Sequence, residues 1–220
     1  LDWESERFTY DEDYQDAVIL AFNKLHEDGL IYRGSRLVNW DPALQTSLSD
    51  LEVVNKEKNV KLTSIKYKID GTDQFITVAT TRPETLLGDM AIAVHPDDKR
   101  YKEYIGKDVE LPLCNRKIPI IADDYVDMDF GSGAVKITPG HDFNDYEIGK
   151  GHGLSMDSKN NIIQGDESSF EPISVLDKHA KICGCAPKNF HELNRFEARK
   201  KILANLESED LIAGIEEYET

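Results

Sequence analysis

Residues 60–81, VKLTSIKYKIDGTDQFITVATT, decide the fold class. Apolar and polar side chains alternate through residues 61–70, Gly71 and Thr72 supply a turn, and residues 75–81 resume as an apolar-rich run. That pattern predicts strand, turn and strand. Outward from it, residues 90–94, 109–113, 117–122 and 133–138 (GAVKIT) are further short strand candidates. Many short strands at close spacing predict a barrel or a strongly curved sheet.

Helical spacing appears on either side. Ala17, Val18, Ala21, Phe22 and Leu25 recur at helical intervals, with Gly29 where a helix would stop. Residues 30–40 read as a strand-like stretch closed by Asp41-Pro42. Helices are expected again over residues 142–150, ended by Gly151 and Gly153, and over residues 192–206. The fold class is therefore α+β, a curved or barrel-like sheet with peripheral helices. Residues 155–171, SMDSKNNIIQGDESSFE, are polar, acidic and turn-rich, and read as a surface insertion or mobile loop.

The 220 residues suffice for one large domain with its own core. A 40% hydrophobic and 31% charged composition without a long apolar run fits a soluble globular protein with no membrane partner. The opening LDWESERFTY is neither a signal nor a transit peptide, and its lack of methionine makes a piece of a longer protein the expectation. Three cysteines, Cys114, Cys183 and Cys185, suit a reducing compartment better than a disulfide framework. A net charge of −16 argues against gripping a nucleic-acid backbone by bulk attraction, so any such contact must be local.

Two peptides carry the chemistry. In TTRPET (residues 80–85), Pro83 suits the first helical position, with Thr81 or Arg82 as the cap. The plain reading is a capped helix start. The functional one is a polar cradle of hydroxyls, an arginine and free amides. In FGSGAVKITPGHDFNDYE (residues 130–147), strand alternation puts Lys136 and Thr138 on one face and Val135 and Ile137 on the other. Asp142 and Asp145 have the spacing of a helix cap and third residue, so capping explains them too. If the strand face lines a pocket, two carboxylates and a lysine there can fix a ligand bearing both an amine and a hydroxyl.

Other motifs are weaker. Gly131-Ser132-Gly133 has neither Walker nor Rossmann spacing and reads as a tight turn. Cys183 and Cys185 with His179 and His191 lack a second ligand pair, so no metal site is expected. His141 beside Asp142 suggests a base, yet no serine or cysteine is placed to be its nucleophile, and a packed histidine explains it equally.

Taken together, ATTRPETLLGD and VDMDFGSGAVKITPGHDFNDYEIGKGHGL resemble the editing domain shared by valyl-, isoleucyl- and leucyl-tRNA synthetases, and the valyl version above all. LIYRGSRLVNWDPALQTSLSDLEV (residues 30–53) and NRFEARKKI (residues 194–202) extend the likeness over nearly the whole chain. Residues 155–171 look inserted between HGL and PISVLD, and Gly140 stands where alanine is common, a change expected to be harmless.

The resemblance implies an aminoacyl-tRNA deacylase within a valine-tRNA ligase of protein biosynthesis, hydrolysing threonyl-tRNA for valine; the lack of a Ser-His or Cys-His arrangement makes water attack the expectation. The resemblance also implies catalytic roles for Asp145, Thr85 and Lys136, and binding roles for Thr80, Thr81, Arg82, Phe130, Thr138 and Asp142. Asp145 would hold the substrate ammonium, Lys136, Thr138 and Asp142 its hydroxyl, and the threonine-rich peptide the terminal adenosine, with Phe130 against the tRNA end. Residues 1–36 would be an edge of the synthetic domain, residues 37–212 the editing domain, and residues 213–220 the start of the return connection. Neither the HIGH-like nor the KMSKS-like signature occurs, so no cofactor is expected here, ATP and magnesium belonging to the parent enzyme's synthetic site. The expected partners are the aminoacylated 3′ end of valine tRNA and the parent's other domains, in a monomeric, cytoplasmic protein or an organellar form. The rival readings are an isoleucyl or leucyl editor and a non-hydrolytic insert that only seats the tRNA end.

Overall fold

The computed structural model describes residues 2–219 and divides into two units, residues 1–36 and 37–220; the bounding residues Leu1 and Thr220 of the terminal segments assigned above lie outside the described residues. The first unit holds a short 3-10 turn (Trp3–Ser5) and helix α1 (Glu12–Glu27), followed by Gly29 at φ +72°. Positive φ is the left-handed conformation that glycine adopts after a helix end at little cost. No residue of α1 is buried, so its apolar stripe finds no core within its own unit.

The second unit opens with β1 (Asn39–Asp41), paired antiparallel with β2 (Thr46–Leu48). Residues 30–38, expected to be strand-like, are irregular, and only the last part of that stretch gains a ladder partner. The decisive segment forms β3 (Asn59–Ile69) and β4 (Phe75–Thr80), joined through Gly71 at φ +71°. Alternation sends Thr63, Ile65, Tyr67 and Ile69 of β3 inward, with Ile76, Val78 and Thr80 of β4. Each such apolar side chain contributes roughly 1.5–3 kcal/mol by leaving water.

The remaining large-sheet strands are β5 (Ala91–Val94), β6 (Asp108–Glu110), β7 (Lys117–Ala122) and β8 (Ala134–Ile137). Helix α2 (Phe143–Gly151) follows β8, then the small hairpin of β9 (Ser155–Met156) and β10 (Ile162–Ile163). Helix α3 (Arg195–Ser208) and β11 (Ile212–Glu219) close the chain. The seven-stranded sheet runs β11-β3-β6-β7-β5-β8, with β4 also on β3. Its pairs are antiparallel apart from β5 and β7. β4 also lies against β8, so the sheet curls toward closure and the fold is a barrel-like α+β architecture.

Residues 212–219 pair along β3 and extend the sheet. Residues 155–171 are not a loose excursion: Ile162 is buried and the Phe170 ring meets Tyr146 edge-on at 5.1 Å. Apolar residues within a polar segment supply that anchorage. Among the described residues no helix is long and apolar enough to cross a membrane.

Helix α3 begins with a capping box between Asn194 and Glu197, and it buries Ala198, Ile202 and Leu206 at four-residue spacing. It packs on the 3-10 helix that directly follows β4, residues Pro83–Gly88. The peptide that leads from β4 into that helix, with Thr85 in its first turn, forms one wall of the candidate site.

Candidate functional site

β4 ends at Thr80, whose Oγ1 accepts the Arg82 amide at 3.0 Å. Arg82 takes the cap position without a side-chain cap bond, and Pro83 opens the helix, where a missing amide proton costs nothing. The Thr85 hydroxyl donates to the Arg82 carbonyl at 3.0 Å. The Arg82 guanidinium reaches across to the His141 carbonyl at 2.9 Å. Beneath, Glu84 is buried and held by Arg199 of α3 through two bonds of 2.7 Å. Such a two-pronged pair fixes orientation as well as charge.

β8 delivers the opposite wall. Lys136 Nζ lies 3.0 Å from Asp89 Oδ1 and 3.3 Å from Thr85 Oγ1, and it contacts the Thr138 hydroxyl. Thr138 donates its own proton to Asp89 Oδ1 at 2.6 Å, and the buried Tyr67 hydroxyl donates to Asp89 Oδ2 at 2.6 Å. Thr138 therefore sits on a paired polar floor, not on an apolar one.

After Pro139, Asp142 caps α2 by accepting the Asn144 and Asp145 amides at 2.9 and 3.2 Å. The capping explanation is thus correct for Asp142, although its side chain also borders the cavity. Asp145 is different: it is buried in the first turn, and its Oδ2 accepts the Thr138 amide at 2.8 Å. Burial pushes the Asp145 carboxyl up to about 6, against the opposing pull of Lys136 and the Thr138 amide. His141 is a packed histidine whose Nε2 accepts the Val175 amide at 3.0 Å. Burial, with Arg82 and Lys136 nearby, lowers its pKa to about 4, so it is neutral near pH 7 with its proton on Nδ1.

Every residue assigned from the sequence to catalysis or binding borders one cavity of about 280 Å³. Thr80, Thr81, Arg82 and Thr85 line one side, and Lys136, Thr138, Asp142 and Asp145 the other. Phe130 stands 63% exposed at the rim, on the loop turned by Gly131 and Gly133 at positive φ. Arg100 holds that loop through the Met128 carbonyl at 2.7 Å, and Tyr101 through the Ser132 carbonyl at 2.7 Å. A second cleft of about 600 Å³ adjoins, sharing Arg82, His141 and Asp142 and bordered by Trp40 and Phe143.

Sequence reasoning missed Asp89, Tyr125, Asn144, Leu62 and Tyr218. Asp89 closes the ETLLGD peptide, and its signal was the need of a buried Lys136 for an acidic partner. Asn144 donates to the Tyr125 hydroxyl at 3.1 Å beside the cavity. Leu62 and Tyr218 arrive on β3 and β11, whose long-range pairing no local pattern announces. At Gly140, which stands where alanine is common, a Cβ would lie 2.1 Å from the Ile173 carbonyl oxygen, so the glycine fits where alanine would press on backbone.

Of the cysteine and histidine cluster, His179 meets Gln45 and His191 meets the Ala186 carbonyl. Among the described residues no group of three or more histidine, cysteine or acidic side chains is placed to hold a metal ion.

Comparison with known proteins adds the following. The model of a family described as tRNA synthetases class I (I, L, M and V) matches residues 1–208. A valine-tRNA ligase of Legionella pneumophila (strain Lens) is 51% identical over 218 residues, covering 99% of this chain and 22% of that protein. One from Francisella tularensis subsp. tularensis is 50% identical over 217 residues with the same coverages of 99% and 22%. The chain thus spans about a fifth of the length of the curated relatives it matches. Among solved structures, a ternary complex of Agrobacterium radiobacter K84 agnB2 LeuRS with tRNA and LeuAMS matches at TM-score 0.47 and 20% identity, over 96% of this chain and 33% of that one. The GlLeuRS-CP1 structure matches at TM-score 0.35 and 17% identity, over 41% and 59%.

Proposed function

The chain belongs to the class I tRNA synthetases (I, L, M and V), and from that premise we propose that it is the editing portion of a valyl-type enzyme, hydrolysing threonine wrongly esterified to valine tRNA. The observation that carries the reading is the convergence of Lys136, Thr138 and Asp145 with the threonine-rich peptide on one small, polar-floored cavity. Valine and threonine are nearly isosteric, so a synthetic pocket shaped for valine rejects threonine poorly; valyl-tRNA synthetase is itself the standard example of that limit. A second site must then select for the hydroxyl. A floor of buried polar groups does so, because valine would leave them desolvated and unpaired.

In this reading Asp145 binds the substrate ammonium, a charge-assisted contact that fixes the direction of the ester carbonyl. Arg82, Thr80 and Thr81 flank the terminal adenosine, and Phe130 at the rim packs against the tRNA end. Water attacks the ester directly. Among the described residues bordering the cavity there is neither serine nor cysteine, and the His141 Nε2 is already committed to the Val175 amide. Hydrolysis of an activated ester asks for a placed water and oxyanion stabilisation more than for a protein nucleophile.

The acidic charge of −16 is compatible with this role if other parts of a longer enzyme hold the tRNA backbone and only the aminoacylated end enters here. No cofactor takes part, and the setting proposed is cytoplasmic. Incubating the chain with threonyl-tRNA for valine and following free threonine tests the proposal: accelerated release supports it, and release no faster than in buffer refutes it. A covalent threonyl adduct trapped by rapid quench would overturn the direct-water mechanism while leaving the editing role intact.

A further inference from the structure

Asp89 is fully buried, carries no role in the reading above, and yet sits under its most selective contact. Its Oδ1 takes the Thr138 hydroxyl at 2.6 Å and Lys136 Nζ at 3.0 Å, and its Oδ2 takes the Tyr67 hydroxyl at 2.6 Å. A carboxylate paired with an ammonium accepts hydrogen bonds and gives none. The single hydroxyl proton of Thr138 is therefore spent on Asp89.

The bonds of Lys136 complete the argument. An ammonium has three N–H donors, and those of Lys136 face Asp89 Oδ1, the Thr138 hydroxyl oxygen and Thr85 Oγ1. It has none over for a ligand unless one of these bonds breaks. Thr138, with its proton directed down and one lone pair toward Lys136, has only acceptor capacity left for the cavity.

We propose that Asp89 is a positioning residue that fixes the hydrogen-bond polarity of Thr138, so that the cavity selects side chains able to donate a hydroxyl proton. This rests on the editing reading above and deepens it: the threonine hydroxyl is recognised as a donor to Thr138, and Lys136 holds the frame instead of touching the ligand.

The test measures binding of the non-hydrolysable threonyl and valyl amides of 3′-amino-3′-deoxyadenosine to the wild-type chain and to two variants. The wild type is expected to favour the threonyl amide by about tenfold or more, the scale on which unpaired buried groups discriminate. Asp89→Ala releases the Thr138 proton to rotate and should reduce the preference to about threefold or less. Asp89→Asn keeps an oxygen that accepts from Thr138 and Lys136, and should retain most of it. A purely structural Asp89 would not divide the two variants in this way. An alanine variant with wild-type preference, or an asparagine variant that loses it as fully as alanine, overturns the proposal.

If Asp89→Ala fails to fold, the asparagine variant decides alone, retention supporting the proposal and loss overturning it. The amides are bound without being cleaved, which separates the two claims. Preferential binding by a wild type that releases no threonine from tRNA sinks the hydrolytic reading and leaves this inference standing. Hydrolysis with no binding preference does the reverse.

Discussion

The backbone amide of Thr138 donates to Asp145 Oδ2 at 2.8 Å, tying the end of β8 to the first turn of α2 at the floor of the cavity. One residue thus meets the network on both sides, its side chain on Asp89 and its main chain on Asp145. The consequences below follow from the residues around that join.

Asp145 is held in a site that disfavours its charge, with burial raising its carboxyl from 3.8 to about 6. The folded chain binds that proton more tightly than the unfolded one, so the stability it contributes is full below pH 3.8 and lost as the pH rises through 6. Asp145→Asn is therefore expected to raise the melting midpoint at pH 8 and leave it nearly unchanged at pH 3.5, by at most roughly 2–3 kcal/mol at the higher pH. The same variant should abolish threonine release, and wild-type kcat/KM should climb through pH 6 as the anchor ionises. Equal melting shifts at both pH values would contradict the assignment.

His141 gives the opposite slope. Its pKa falls from 6.5 to about 4 in the folded chain, so its contribution is full above pH 6.5 and lost as the pH falls toward 4. His141→Gln should flatten the acid side of the stability profile between those values, measured by urea melts at half-unit steps. An unchanged profile would mean that His141 is not held neutral.

Gly140→Ala should destabilise the chain by about 1–3 kcal/mol, the usual cost of forcing extra volume into packed structure. The new Cβ would press on the Ile173 carbonyl and move the residues that carry the Val175 amide away from His141. Faster amide exchange at Val175 is the local signature, and a wild-type melting curve would rule the clash out.

Arg199→Ala should cost roughly 2–4 kcal/mol, because Glu84 would be left buried without its partner, while the one-third exposure of Arg199 softens the loss. Replacing both residues with apolar side chains of similar volume should recover most of it. A double variant as unstable as the single one would show that the pair does more than neutralise Glu84.

Much of this is legible in the sequence. β3 and β4 follow from a period-two pattern around Gly71, and α2 follows from the Asp142 cap. The strand alternation that placed Lys136 beside Thr138 holds, although Val135 also reaches the cavity. What local pattern hides is tertiary. Residues 30–38 are apolar enough to read as a strand yet lack a ladder, since pairing depends on a neighbour the segment does not encode. Asp89 was passed over because its three partners come from β3 and the end of β8, far apart in sequence. That residue 140 needs a glycine is hidden for the same reason: the obstacle to a side chain is the backbone of residue 173.

Whether this cavity removes threonine and spares valine is read from the initial rates of amino-acid release from threonyl-tRNA and valyl-tRNA for valine with the same preparation of the chain. Threonine release is expected to be faster by about tenfold or more, reflecting the cost of leaving the polar floor unpaired against valine. Equal rates for the two esters, or faster release of valine, would contradict it.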